Sequence, residues 1–160
     1  MNWVYRCLRF TIFVFISALV IIVGAAAFSR YVLHQSLHWG TEAPNFLFMW
    51  IVFLGAAIAY RDKKHIAFDV FVKKLPSQLG TVAEMTSLLI LTAFFGFLLV
   101  TGVKVVLLNM GSETEALKIP YGFVYASVPI SSFLMLLESF REIGSKVRKN
   151  IVKRSPAENE

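Results

Sequence analysis

Charge is what this sequence has least of. Only 16% of its 160 residues are Asp, Glu, Lys or Arg, against roughly 25% in an average soluble domain. A soluble enzyme domain, which needs polar side chains to cover its surface, is thereby excluded. A single cysteine, Cys7, excludes an intrachain disulfide and paired-thiol redox chemistry. Internal repeats and low-complexity linkers are also missing. What is present is apolar: 57% of residues are hydrophobic, 15 are Phe, and the mean hydropathy is +0.66. The net charge of +6 lies in short clusters between long uncharged stretches. It does not run along a face that could track phosphates, so a nucleic-acid partner is excluded. Composition specifies an integral membrane protein.

A helix needs about 20 mostly apolar residues to cross the hydrocarbon core. Four stretches qualify, residues 10–28, 44–60, 85–103 and 119–137, and none contains a charged residue. Arg6, Arg9 and the run Ala25-Ala26-Ala27 resemble parts of a signal peptide. The apolar stretch is too long for a signal core, however, and the first span is expected to be retained. Lysine and arginine set the orientation. Thirteen lie in the amino end, the second loop and the tail, and three (Arg30, Lys104 and Lys118) lie on the other side. Both termini are therefore expected in the cytoplasm, with a polar cytoplasmic tail over residues 138–160. The whole chain forms one membrane domain, and its basic residues suit anionic membrane lipid.

In the second loop, Phe68, Phe71, Val72 and Leu75 share one helical face, flanked by Lys73 and Lys74. Asp69 and Lys73 form a favourable acid-first pair at i, i+4. The spacing predicts a short amphipathic helix over 66–75 lying in the membrane interface. The expected fold class is thus an all-α integral membrane protein with four transmembrane helices and one interfacial helix.

An ionisable residue inside a span is the usual mark of an ion or proton path, and these spans hold none. Glu84 and Glu138 at the cytoplasmic ends, and Lys104 at the outer end, read as interfacial anchors. His34 and His38, at i, i+4, could share a helical face, but they lie on the opposite side from His65. The three cannot pair as haem ligands across the bilayer, and only Glu42 could help complete a metal site. No metal, cofactor or catalytic residue is expected. Ser127, Ser131 and Ser132 have no base beside them and read as packing residues. Pro129 should kink the fourth span, leaving a carbonyl near Tyr125 for those serines or a neighbouring helix to satisfy. Small residues at Gly24–Ala27 and Gly55–Ala59 allow close helix contacts. Trp39 belongs to the outer interface. Trp50 lies deep in the second span, and its indole needs an acceptor from this chain or another subunit.

Two blocks of residues carry a resemblance. The first is Arg30-Tyr31-Val32, Trp39-x-x-Glu42 and Trp50-x-x-Phe53-Leu54-Gly55-Ala56-Ala57, followed by Arg61, His65-Ile66, Asp69 and Pro76. The second is Ala116-Leu117-x-Ile119-Pro120 with Tyr125 and Pro129. In this order and spacing the chain resembles the small, DctQ-like membrane subunit of TRAP (tripartite ATP-independent periplasmic) transporters. One departure is Thr41-Glu42, where the family often has two adjacent acids.

The resemblance implies a non-catalytic scaffold in the bacterial inner membrane. Its partners would be a large membrane subunit, which carries the substrate and sodium sites, and a periplasmic binding protein that delivers an organic acid such as a sialic acid or a dicarboxylate. Arg30, Trp39 and Glu42 would lie at the periplasmic surface, either meeting the binding protein or ordering the loop through an Arg30–Glu42 pair. Arg61, His65 and Asp69 would order the cytoplasmic loop. Two other classes stay open at this stage: a membrane anchor for a respiratory or redox enzyme, which would carry haem or quinone, and a free-standing four-helix transporter.

Overall fold

The computed structural model describes residues 2–35, 37–63 and 77–154. Its long elements are α1 (Asn2–Tyr31), α2 (Glu42–Lys63), α3 (Ser77–Asn109), a short α4 (Tyr121–Tyr125) and α5 (Ser127–Arg154). Among the described residues, four helical segments are long and apolar enough to cross a membrane: Trp3–Tyr31, His38–Asp62, Met85–Asn109 and Tyr121–Lys146. The first three contain the spans expected there, and the fourth begins two residues into its expected span and runs past its end. The expected interfacial helix, with Phe68, Asp69, Phe71, Val72, Lys73, Lys74 and Leu75, lies outside the described residues, as does His65.

Local chemistry sets the ends. α1 stops at Tyr31. Ser29 turns its hydroxyl to the Gln35 carbonyl at 2.8 Å, and the Gln35 amide returns to the Ser29 carbonyl at 3.2 Å. His34 adopts a left-handed backbone, φ 55°, so His34 and His38 do not share a helical face as their spacing suggested. The chain then makes one 3-10 turn, His38–Gly40, where a Cβ on Gly40 would sit 3.2 Å from that of Ala26. Pro44 falls in the first turn of α2, where its missing N–H costs no bond. Past α3, a compact turn is held by the Thr114 amide to the Ile119 carbonyl (3.0 Å) and the Tyr121 amide to the Ser112 carbonyl (2.9 Å).

The helices are not equivalent in packing. α5 lies between α2 and α3, and α1 packs along α2. Ala57, Phe95 and Met135, from α2, α3 and α5, form the buried core, with the rings of Tyr60 and Phe95 edge to face at 5.0 Å. The face of α5 that enters this core is small and polar: Ser127, Ser131, Ser132 and Ser139 are fully buried. Ser132 bonds back to the Val128 carbonyl at 2.8 Å, one turn earlier, which satisfies its hydroxyl without a partner helix.

Two features of the last span bear on its expectations. The expected disturbance at Pro129 shows as a one-residue interruption of the helix at Ala126. Ala126 keeps a helical backbone, its amide bonded to the Gly122 carbonyl at 2.9 Å and its carbonyl to the Ile130 amide at 3.3 Å, and Pro129 falls in the first turn of α5, where its missing N–H leaves the ladder one bond short. Residues 138–154, the first part of the expected polar tail, are helical. α5 continues unbroken to Arg154, with Glu138, Ser139 and Glu142 buried.

Candidate partner interface and the ties that hold it

The polar residues gather at three levels. At the end bearing the α1–α2 and α3–α4 loops, Glu42 occupies the first turn of α2. Its carboxylate accepts the Ala116 amide at 3.0 and 3.1 Å and the Leu117 amide at 3.0 Å. Backbone N–H groups converging on a carboxylate form charge-assisted bonds, stronger than neutral ones. Glu42 thus orders a loop, but its partner is the 112–120 turn and not Arg30. Arg30 stays exposed in the last turn of α1, where a cation complements the helix C-terminus. Trp39 is partly exposed in the 3-10 turn, and Glu113 and Glu115 are exposed on the turn that Glu42 holds.

At mid-depth, the Trp50 indole N–H donates to the Phe123 carbonyl at 3.2 Å. This carbonyl lies just before the break at Ala126, where the helical ladder is interrupted. The next one, Val124, accepts the Ser127 hydroxyl at 2.9 Å. A serine and a neighbouring helix therefore both serve carbonyls beside the break, as apolar surroundings require. α3 closes on the same region. A Cβ at Gly122 would meet Met110 Sδ at 2.7 Å, and one at Gly102 would meet Pro129 Cδ at 3.0 Å. These glycines, not Gly24 or Gly55, permit close contact, since a Cβ at either of the latter meets nothing within 4 Å.

At the opposite end, Arg61 lies between three helices. Its guanidinium stands 3.9 Å from the centre of the Tyr5 ring, and its Nε is 3.9 Å from Glu138 Oε1. Arg141 approaches the same carboxylate oxygen at 3.5 Å. Glu138 is buried there, so the reading of it as an interfacial anchor is corrected: it holds α5 to α2. Beside it, Arg9 pairs with Asp62 at 2.7 Å, linking α1 to α2. The hydroxyls of Thr92 and Ser139 meet between α3 and α5. Lys104 is exposed on α3. Tyr5 and Asp62 are not singled out by the sequence, and the burial of Glu138 is not either. The signal was present in the spacing of Ser127, Ser131, Met135, Glu138 and Glu142, which continues one helical face of α5 past the end of its apolar run.

Four apolar helices, tied at both ends and in the middle by polar contacts between elements, define a multi-pass membrane subunit. The sequence profile of the family described as "Tripartite ATP-independent periplasmic transporters, DctQ component" matches residues 19–149. The chain belongs to this family, whose members are transport components and not enzymes. It is 28% identical over 92 residues to the C4-dicarboxylate TRAP transporter small permease protein DctQ of Vibrio cholerae, a match covering 58% of this chain and 40% of that protein. It is 24% identical to the sialic acid TRAP transporter small permease protein SiaQ of the same organism, over 72% of this chain and 66% of SiaQ. The isethionate TRAP transporter permease protein DctMQ of Oleidesulfovibrio alaskensis matches at 22% identity, over 82% of this chain but 22% of its own length. The chain thus spans less than two thirds of each of these relatives.

Proposed function

We propose that this chain is the non-catalytic small membrane subunit of a sodium-coupled, binding-protein-dependent importer of organic acids. It lies in the bacterial inner membrane with both termini cytoplasmic and extends the static frame around a larger subunit. The observation that carries this reading is the fastening of the bundle. Glu42 to the 112–120 turn, Trp50 to Phe123, and Arg61 to Glu138 each cross between elements, at the two ends and the middle. Such cross-ties suit a frame that resists deformation while a partner moves. The lysine and arginine distribution supports the orientation.

A separate large partner is supported by DctMQ, in which the segment matching this chain is a small part of one longer polypeptide. That partner would hold the substrate and the sodium ions, and this chain no cofactor. Relatives named for a C4-dicarboxylate, sialic acid and isethionate support the organic-acid class. Under this orientation Arg30, Trp39, Glu113 and Glu115 face the periplasm, where a binding protein would dock on the turn that Glu42 holds.

Affinity purification of the chain from native membranes in mild detergent, followed by mass spectrometry, tests the reading. Co-purification of a large many-span membrane protein, without haem absorbance, is expected. Recovery with a haem or flavin enzyme would overturn the scaffold role in favour of a redox anchor.

A further inference from the structure

A recess of about 250 Å³ lies between the start of α1 and the end of α2, lined by Tyr5, Arg6, Arg9, Arg61 and Asp62. Three of the five lining side chains are arginines, and the two fold-holding pairs account for two of them. Arg9 is bound to Asp62 at 2.7 Å, and Arg61 is directed to Tyr5 and Glu138. Arg6 is the surplus: it is exposed, and among the described residues it has no acidic partner. The recess therefore carries a net positive charge that the packing of the bundle does not use. Arginine presents a planar fork of donors that matches phosphate oxygens.

The surroundings identify the kind of phosphate. Phe10 and Phe13 follow Arg6 at i+4 and i+7, which places them one and two turns along the same face of α1. They are 69% and 67% exposed. A basic recess at a helix end, continued by an apolar stripe along the membrane-spanning helix, offers one surface for a charged headgroup and another for acyl chains. Basic recesses between transmembrane helices take lipid headgroups by this combination.

We infer that this recess is a binding site for one anionic phospholipid, with its phosphate at Arg6 and Arg9 and its chains along Phe10 and Phe13. Bound there, the lipid would bridge the start of α1 to the end of α2 and reinforce the contact that Arg9 and Asp62 already make.

The test is native mass spectrometry of the full chain in a non-ionic detergent, titrated with dioleoyl phosphatidylglycerol, dioleoyl phosphatidylcholine or glycerol 3-phosphate. Phosphatidylglycerol should form a one-to-one adduct at least about fivefold more tightly than phosphatidylcholine, and Arg6→Gln should remove about that preference. Arg6→Lys, which keeps the charge but loses the planar fork, should retain only part of it, and Lys104→Gln, on a distant part of the molecule, should change nothing. Because Arg6 is exposed, these variants leave the packing of the bundle intact. Glycerol 3-phosphate should fail to form an adduct at concentrations where the lipid saturates, since it cannot use Phe10 and Phe13. Equal binding of the two lipids, an Arg6→Gln variant that binds like the parent, or glycerol 3-phosphate binding as tightly as phosphatidylglycerol would each overturn the assignment.

Discussion

Both carboxylate oxygens of Glu42 take the backbone amide of Ala116, at 3.0 and 3.1 Å, across 74 positions of sequence. One side chain at the start of α2 thereby fixes the turn that connects α3 to α4. Among the described residues, the turn's own bonds include Thr114 to Ile119 and Tyr121 to Ser112. Exposed Glu113 and Glu115 ride on it, so the shape of this surface depends on Glu42, whatever meets it.

Glu42→Ala should loosen this turn without dismantling the bundle. Hydrogen exchange at Ala116 and Leu117 is expected to accelerate by about tenfold or more, since the amides lose their acceptor and open locally. Arg30→Gln should leave the same amides unchanged, because Arg30 is not the partner of Glu42. Equal acceleration in both variants would restore the Arg30–Glu42 pairing.

Trp50→Phe keeps an aromatic ring in place but removes the only donor that α2 offers the Phe123 carbonyl among the described contacts. The expected loss is about 1 kcal/mol, the usual worth of such a bond. It should appear as a modest fall in thermal midpoint in detergent, with no change in helix content by circular dichroism. Ser127→Ala, which withdraws the donor to Val124, should cost a similar amount.

How much of this was legible beforehand depends on the range of the interaction. The four spans and the need of Trp50 for an acceptor follow from properties of single segments, apolar length and an indole N–H. Partners did not follow, because amides have no sequence signature: nothing about Ala116 or Leu117 marks them as the ligands of Glu42. The polar stripe of α5 was visible in its spacing, yet the end of the apolar run at Leu137 concealed that the same face stays buried through Glu138 and Glu142. The disturbance at Pro129 follows from its missing N–H alone, whereas the groups that serve the carbonyls beside it, the Trp50 indole and the Ser127 hydroxyl, depend on the packing.

Helix approach gives a paired test on α3. A Cβ at Gly102 would lie 3.0 Å from Pro129 Cδ, 3.2 Å from its nitrogen and 3.2 Å from Val128 Cγ1, whereas one at Gly96 meets nothing within 4 Å. The proline ring and backbone cannot swing aside as a flexible side chain would, so α3 must move away from α5. Gly102→Ala should destabilise the folded chain by about 1–3 kcal/mol, the range for overpacking. Gly96→Ala should be neutral or slightly stabilising, since it restricts the unfolded chain without a clash. Thermal unfolding of both variants in the same detergent decides the matter. Equal midpoints would mean that the close contact of α3 with Pro129 is not maintained.

The Glu138 cluster should show the most severe single-site effect. Its carboxylate is 2% exposed, and the two arginines beside it differ in exposure, 22% for Arg61 and 55% for Arg141. Removing one member of a buried pair leaves the other desolvated without its counter-charge, which typically costs about 3–5 kcal/mol. An exposed pair contributes about 0–1 kcal/mol because water and salt screen it. Arg61→Ala should therefore be strongly destabilising because it strands the buried Glu138 carboxylate, Glu138→Ala less so because the Arg61 it leaves behind is partly solvated, and Arg141→Ala nearly silent. A double-mutant cycle separates the pairs: coupling of Glu138 with Arg61 should exceed its coupling with Arg141 at every salt concentration. High salt should erode only the Arg141 coupling, since the Arg61 side lies under the Tyr5 ring. Equal couplings would indicate that both arginines meet Glu138 in water, and that the three-helix junction around Arg61 is open.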